Sequence, residues 1–373
     1  MNRRQFIQAG VMAVGAGAVT GRVGAGNMGD ALGEGDDGFP ADELPEYSQW
    51  VPADSQVDPE TGVFFTHVDW ETLMAIDDDD EPDDEPEDDM EEVEEIIEQI
   101  PILGLPFYGA FVTPLAMFTL LFYPFTEDIL PDEDEPDVDG IDTATMTMTD
   151  ELVIFHGDYD RDVFEAQYTD GFEDEEERDE FIVYVGAEAF TEGLAFALSD
   201  DTLVAGMMPG EDVEFSPEDL VDAALDRHLE ETNRLIDEED GQWLLETTGE
   251  APMSFGAWET DDLLEAIDPD EDAPDGPDDQ DQDDQDLNAD LDTDDNPVFD
   301  DVESVVNNMV FDVVDGEMRD IEARFAGLYP EDTVPSETEV LEYLIGDEDV
   351  PHDIVIEGRR VHATATFEEP PEE

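Results

Sequence analysis

Five histidines, His67, His156, His228, His352 and His362, are the only side chains here that titrate near neutral pH, because the chain has no cysteine. They do not form a zinc signature. No two share the close spacing, His-Glu-x-x-His included, that brings two imidazoles to one metal. His156 comes nearest to a mixed ligand set, since Asp158 and Asp160 follow at alternate positions. The simpler reading is a strand-end histidine satisfied by a neighbour. Glu135-x-Asp137-x-Asp139-Gly140 imitates part of a calcium loop, but it opens on Glu and puts Met146 where a bidentate Glu is needed. Asp268-x-Asp270-x-Asp272 lacks the glycine. Among 111 acidic residues such fragments arise by chance. The weak metal candidates are therefore Asp137, Asp139, His156, Asp158 and Asp160. The expectation is diffuse cation binding, with no specific calcium and no cofactor.

Other chemistries lack their residues. There is no Gly-x-Ser-x-Gly elbow, and Ser254 in Met-Ser-Phe-Gly reads as a strand serine. A phosphate-binding P-loop needs a lysine, and the chain has none: all 11 basic residues are arginine. Gly15, Gly17 and Gly21 lie in the N-terminal run, outside any dinucleotide context. Paired carboxylates are everywhere, so they point nowhere. A catalytic acid is recognised by a shifted pKa in a cleft, and no catalytic residue is assigned.

The charge explains this excess of acid. A formal net charge of −100 on 373 residues disfavours the compact state through self-repulsion. Concentrated salt removes that objection, because the Debye length is about 3 Å at 1 M. The chain reads as one that folds in brine. Nucleic acid is excluded as a partner, since binding phosphates takes clustered Lys and Arg. Docking on an anionic membrane by charge is excluded for the same reason. Apolar residues make up 39%, with 21 Phe, which is enough for a core.

The N-terminus reads as an address. Arg3 and Arg4 precede Phe6, Ile7 and an uncharged run from Ala9 to Gly21. That is the order of a charged region followed by a short apolar one. Ala16-Gly17-Ala18 and Gly24-Ala25-Gly26 both offer small-residue cleavage sites. Arg3, Arg4, Phe6 and Ile7 resemble the twin-arginine (Tat) export signal. The resemblance implies the twin-arginine translocase as a partner and export in the folded state. Residues 1–26 are assigned to the signal and 27–44 to a flexible, acidic, Gly-rich segment.

Three acidic stretches divide the rest: 77–89, 131–142 and 266–297. Blocks of like charge stay extended and cannot bury enough surface to order themselves. The first two read as disordered insertions in a body spanning 45–265. The third reads as a disordered linker to a C-terminal segment, 298–373. In the body, Gly62–Trp70, Leu152–His156 and Phe181–Val185 read as strands, and Leu194–Leu198 with Thr202–Met207 as a hairpin. Helices are expected over 90–100, after Asp160, and from Ser216-Pro217-Glu218-Asp219, whose cap and first-turn acids mark a start. That last helix is expected to carry apolar residues as far as Ile236. Beyond the linker, two strands flank Asp315-Gly316, a hairpin signal. Ser336 and Glu339 make a capping box. Ile354–Ile356 turns at Gly358 into an alternating strand, Val361–Phe367, with His362, Thr364 and Thr366 on a wet face. Hairpins with intervening helices argue an α+β fold: an antiparallel sheet with helices packed on one face.

Gln99 to Thr126 is a run of 28 residues without a charge, in a chain that is 33% charged. Its length suits a bilayer span, but Pro101, Pro106, Pro114 and Pro124 interrupt it. A buried core element is the favoured reading, with membrane contact through 99–126 as the alternative.

With its signal and Lys-free acidic composition, the chain resembles exported proteins of extremely halophilic archaea. The likeness extends to the order of elements over residues 45–260, from Leu152–Phe155 and His-Gly-Asp-Tyr-Asp to the helix after Ser216. It implies an extracellular or cell-envelope location and no activity. The reading is a non-catalytic extracytoplasmic protein. The alternatives are an exported hydrolase with a carboxylate-based site and an envelope protein attached through 99–126.

Overall fold

Leu152-Val153-Ile154-Phe155 is apolar at four consecutive positions. A strand can bury such a run only if both faces of its sheet are covered, and here both are. The computed structural model describes residues 44–55, 62–70, 72, 102–103, 140–149, 152–169, 171–187, 193–207, 215–260, 296–299, 301–314, 317–346 and 350–368. The export signal with Arg3, Arg4, Phe6 and Ile7, the insertion at 77–89, the expected helix at 90–100, Asp137, Asp139, Asp268–Asp272 and most of 99–126 lie outside these residues.

The body supplies β1 (Val63–Asp69), β2 (Ile141–Thr149), β3 (Leu152–Tyr159), β4 (Phe172–Arg178), β5 (Phe181–Gly186), β6 (Leu194–Leu198), β7 (Thr202–Met207) and β8 (Met253–Trp258). β9 (Ser304–Val314), β10 (Glu317–Leu328), β11 (His352–Glu357) and β12 (Arg360–Glu368) follow. They form one sheet in the order β11-β12-β10-β9-β8-β1-β2-β3-β7-β6-β5-β4, with every pairing antiparallel. The strands of 298–373 continue the body's sheet through the β8–β9 pairing.

Among the described residues, four helices pack on this sheet: α1 (Arg161–Tyr168), α2 (Pro217–Glu230), α3 (Glu239–Thr248) and the short α4 (Glu337–Val340). Ser216 caps α2 with a reciprocal Asp219 bond, Pro217 opens it, and Glu231 ends it in the left-handed conformation. Ile236 therefore falls outside α2, in the turn Leu235–Asp237. Ser336 and Glu339 cap α4 in the same way.

The helices divide between the two faces, which corrects the one-face expectation. Leu152 and Ile154 cluster with Leu220, Val221, Ala224 and Leu225 of α2. Val153 and Phe155 cluster with Phe164 and Tyr168 of α1 and Val340 of α4. Alternate residues of a strand point to opposite faces, so α1 and α4 lie on one face and α2 on the other. On the α2 face, Val63, Phe65, Val306 and Leu328 gather with Leu244 and Leu245 of α3. The wet face expected for β12 is also corrected: His362 is buried, on the α3 face.

Ile102 and Leu103, from the uncharged run, are fully buried against the α1 face. Asn307 donates its side-chain N–H to the Ile102 carbonyl at 2.9 Å. At the far end of the expected linker, Asn296 is buried and donates to the Tyr343 carbonyl. Ile141 and Asp142, placed in the second insertion by composition, are the first residues of β2.

Candidate functional site

The register of the sheet lays a row of polar side chains across the α3 face. Thr147 of β2 pairs with His67 of β1, and His67 with Ser254 of β8. Ser254 pairs with Asn308 of β9, Asn308 with Arg324 of β10, and Arg324 with Thr364 of β12. Paired residues of antiparallel strands share a face. Thr147, His67, Ser254 and Asn308 are all buried, so each must find a partner or cost stability.

Two structures meet these groups. The first is the C-terminal end of α3, whose last carbonyls have no partner within the helix. Asn308 Nδ2 donates to the Gly249 carbonyl at 2.7 Å, and an Arg324 guanidinium N–H donates to the Thr248 carbonyl at 3.0 Å. A cation also suits the negative end of the helix dipole. The second is the 3-10 turn Glu46–Gln49. Its Tyr47 stacks on the His67 ring, with centroids 4.5 Å apart. The Tyr47 hydroxyl is within hydrogen-bonding reach of the Ser254 and Asn308 side chains. At the mouth of this seam the Glu46 backbone N–H donates to the Glu250 carboxylate at 3.1 Å.

Burial sets the protonation states. It pushes the His67 imidazole down to about 3, with nearby His156 adding to the effect, so the ring is neutral. Its Nδ1 shares a 2.9 Å hydrogen bond with Thr147 Oγ1. Burial pushes His156 down to about 4, against the pull of Asp201 and with His228 reinforcing it. Glu250 goes the other way. Its side chain is open to solvent on one side, yet packing around the carboxyl, with Glu46 and Asp69 nearby, raises it to about 7. Burial raises the Tyr47 hydroxyl as well.

His156 sits within β3, not at its end, and hydrogen-bonds Thr202 Oγ1 of β7 at 3.1 Å. Asp158 is exposed. Asp160 caps α1, accepting from the Asp162 and Val163 amides at 3.0 and 3.3 Å. His156 and Asp160 are therefore committed to separate contacts, and Asp158 faces solvent. Met146 is buried in β2, which starts at Ile141, so an extended strand occupies the positions where a calcium loop would have to turn back. Among the described residues, no group of three or more His, Asp or Glu is placed to hold a metal ion. No described helix is long and apolar enough to cross a membrane.

The α2 end of the same face carries a second stack. His228 lies flat on Trp50, with centroids 4.1 Å apart and planes 5° apart. Arg227, buried beside it, donates to the Trp50 carbonyl at 3.2 Å. Sequence reasoning found His67 and Ser254 as isolated residues but missed Tyr47, Glu250 and Asn308. Only an expectation of register across strands far apart in the chain could have joined them.

No protein-family model matches the chain, and no curated protein matches it. A solved structure titled "Structure of crystal form I of TP0453" is similar at a TM-score of 0.35 and 8% identity, over 88% of this chain and 94% of that one. A likeness that distant carries no argument about function.

Proposed function

We propose that this is a non-catalytic extracytoplasmic protein of a halophilic archaeon, exported already folded through the twin-arginine translocase. It acts at the cell envelope or outside it, by binding or surface assembly. The observation that carries this reading is the pair Arg3-Arg4 with Phe6 and Ile7, in a chain with only 11 basic residues to place. The net charge of −100 supports the brine environment, and it disfavours nucleic acid as a partner. The internal roles of His67, His156 and Asp160 support a reading in which the polar groups hold the fold together. The full burial of Ile102 and Leu103 favours a core role for 99–126 over membrane attachment. The hydrolase alternative would rest on Glu250, the described carboxyl raised to about 7.

The test is fractionation of the native host into medium, membrane and cytoplasm, with mass spectrometry of the N-terminus. The expected result is a mature chain starting between Val19 and Asn27, in the medium or released by a high-salt wash. An uncleaved cytoplasmic chain would overturn the proposal. Release by detergent alone would turn it towards membrane attachment through 99–126.

A further inference from the structure

Three of the five histidines meet one short segment. Residues 44–55 cross the α3 face as a strap that includes the 3-10 turn Glu46–Gln49. His67 of β1 and Ile154 of β3 both pair with Thr147, so they share this face. His156, two residues after Ile154, shares it too. Tyr47 stacks on His67 at 4.5 Å. Trp50 stacks on His228 of α2 at 4.1 Å and sits tilted against His156 at 5.9 Å. A threonine holds each strand histidine from within the sheet: Thr147 bonds His67, and Thr202 bonds His156.

The strap is not a strand of the sheet. Its backbone bonds run to the turn after α2. Leu235 N–H donates to the Val51 carbonyl at 2.9 Å, and Ala53 N–H to the Asn233 carbonyl at 3.1 Å. Arg227 adds its bond to the Trp50 carbonyl, and the Glu46 N–H meets Glu250 at the other end. Lifting the strap therefore leaves the strand ladder intact. It gives up the burial of Tyr47, Trp50 and Val51, none of them more than 2% exposed. A segment held outside the ladder can open at a lower free energy than the whole fold.

The neighbouring charges decide how protons act here. Burial lowers all three imidazoles. His156 lowers His67 further, and His228 lowers His156 against the pull of Asp201. Around His228, Glu180, Asp201 and Glu231 raise the ring while Arg234 lowers it. At the other end Glu46 and Asp69 stand near Glu250, whose carboxyl burial raises.

We propose that residues 44–55 are an acid-released strap, which protonation of His67 and His156 frees from the sheet while the twelve strands stay paired. Each of these rings takes up a proton on opening. The strap is therefore held firmly above about pH 6.5 and loosens as the pH falls towards 4 and then 3. Glu250 opposes this, because its raised carboxyl gives up a proton on opening. That opposition stops growing below its ordinary value of 4.5, and the two histidines together outweigh it. The device stands independently of the envelope reading.

Hydrogen exchange read by mass spectrometry on the full chain in concentrated potassium chloride provides the test. It compares the 44–55 amides with those of β3 and β8 at about pH 7.5 and 4, each rate divided by that of an unfolded peptide at the same pH. Strap protection in wild type should lie below that of both strands and fall about 100-fold from the higher pH to the lower. His67→Gln should hold the fall below about tenfold, since His156 and Glu250 then nearly cancel. Glu250→Gln should deepen it by about tenfold or more. Equal protection of strap and strand amides at pH 4 would overturn the proposal, because the strap would then open only with the sheet. So would a fall that both variants leave unchanged. Should His67→Gln fail to fold, Glu250→Gln at the exposed mouth decides the question alone.

Discussion

His67 is a histidine that the fold refuses to charge. Its pKa falls from 6.5 in an unfolded chain to about 3 in the native state, so below pH 6.5 the unfolded chain binds a proton that the native protein does not. Stability contributed by this group is complete above about pH 6.5 and drains away as the pH falls towards 3. The slope is at most about 1.4 kcal/mol per pH unit for one group. Glu250, raised from 4.5 to about 7, has the opposite sign: the native state keeps a proton that the unfolded chain has released, so stability falls as pH rises from about 4.5 to 7. The two effects overlap between about pH 4.5 and 6.5, and single variants separate them. In denaturant titrations at constant high salt, His67→Gln should lose less stability than wild type between pH 6.5 and 5, by roughly 2 kcal/mol. Parallel pH profiles for the two proteins would show that His67 is protonated in the native state after all. Glu250→Gln should gain on wild type between pH 4.5 and 7, and a flat difference would exclude the raised carboxyl.

At the scale of elements, β1 and β8 meet through an aromatic ring laid on a bare backbone. Phe65 and Gly256 are register partners, and a Cβ on Gly256 would come within 2.1 Å of the Phe65 ring. Phe65 is fully buried, so the ring has nowhere to move. Gly256→Ala should cost about 1–3 kcal/mol by overpacking, read as a lowered midpoint in urea. Phe65→Leu should recover part of that loss in the double variant, and additive costs would show that the two residues do not touch. The caps of α2 and α4 are a milder case: Ser216→Ala and Ser336→Ala should each cost about 1 kcal/mol.

These elements were unequally legible in the sequence. Hairpins β6–β7, β9–β10 and β11–β12 and the start of α2 could be read directly, because turn chemistry and caps are local signals. β4 could not, since Glu173-Asp174-Glu175-Glu176-Glu177 looks like a solvated charge run. Its place at the end of the strand order accounts for the acids, because charge on an edge discourages further pairing. The two covered faces were written in the unbroken apolar run of β3, yet alternation in β12 suggested otherwise. The seam was illegible because His67, Ser254, Asn308 and Arg324 become neighbours only through pairing between distant strands.

For the whole molecule, the question is whether an acidic linker in sequence means two units in space. By composition, 266–297 divides the chain. In the sheet, β9 pairs along β8, and arginines of the C-terminal segment reach back across the divide. Arg360 bonds Asp240 of α3 at 2.6 Å and lies over the Trp243 ring at 5.0 Å. Arg324 holds the C-terminal end of α3. Two halves that share one sheet and one helix end should unfold together. The proposed salt requirement supplies the experiment, because dilution strengthens the self-repulsion of a −100 chain. Dialysis to about 50 mM salt, beyond the range where the Debye length shields neighbouring carboxylates, should unfold the sheet. All four tryptophans, Trp50, Trp70, Trp243 and Trp258, precede the linker. Trp243, under Arg360, and Trp258, clustered with Val306 and Leu328, report on the junction between the two segments, while circular dichroism reports on the strands. The two curves against salt should coincide in a single transition. A tryptophan change that comes with only part of the dichroism loss would mean that β9–β12 melt first and that the linker divides the protein in energy as well as in sequence. A native spectrum kept at low salt without bound cations would remove the halophilic reading itself, since nothing else in the composition calls for so much acid.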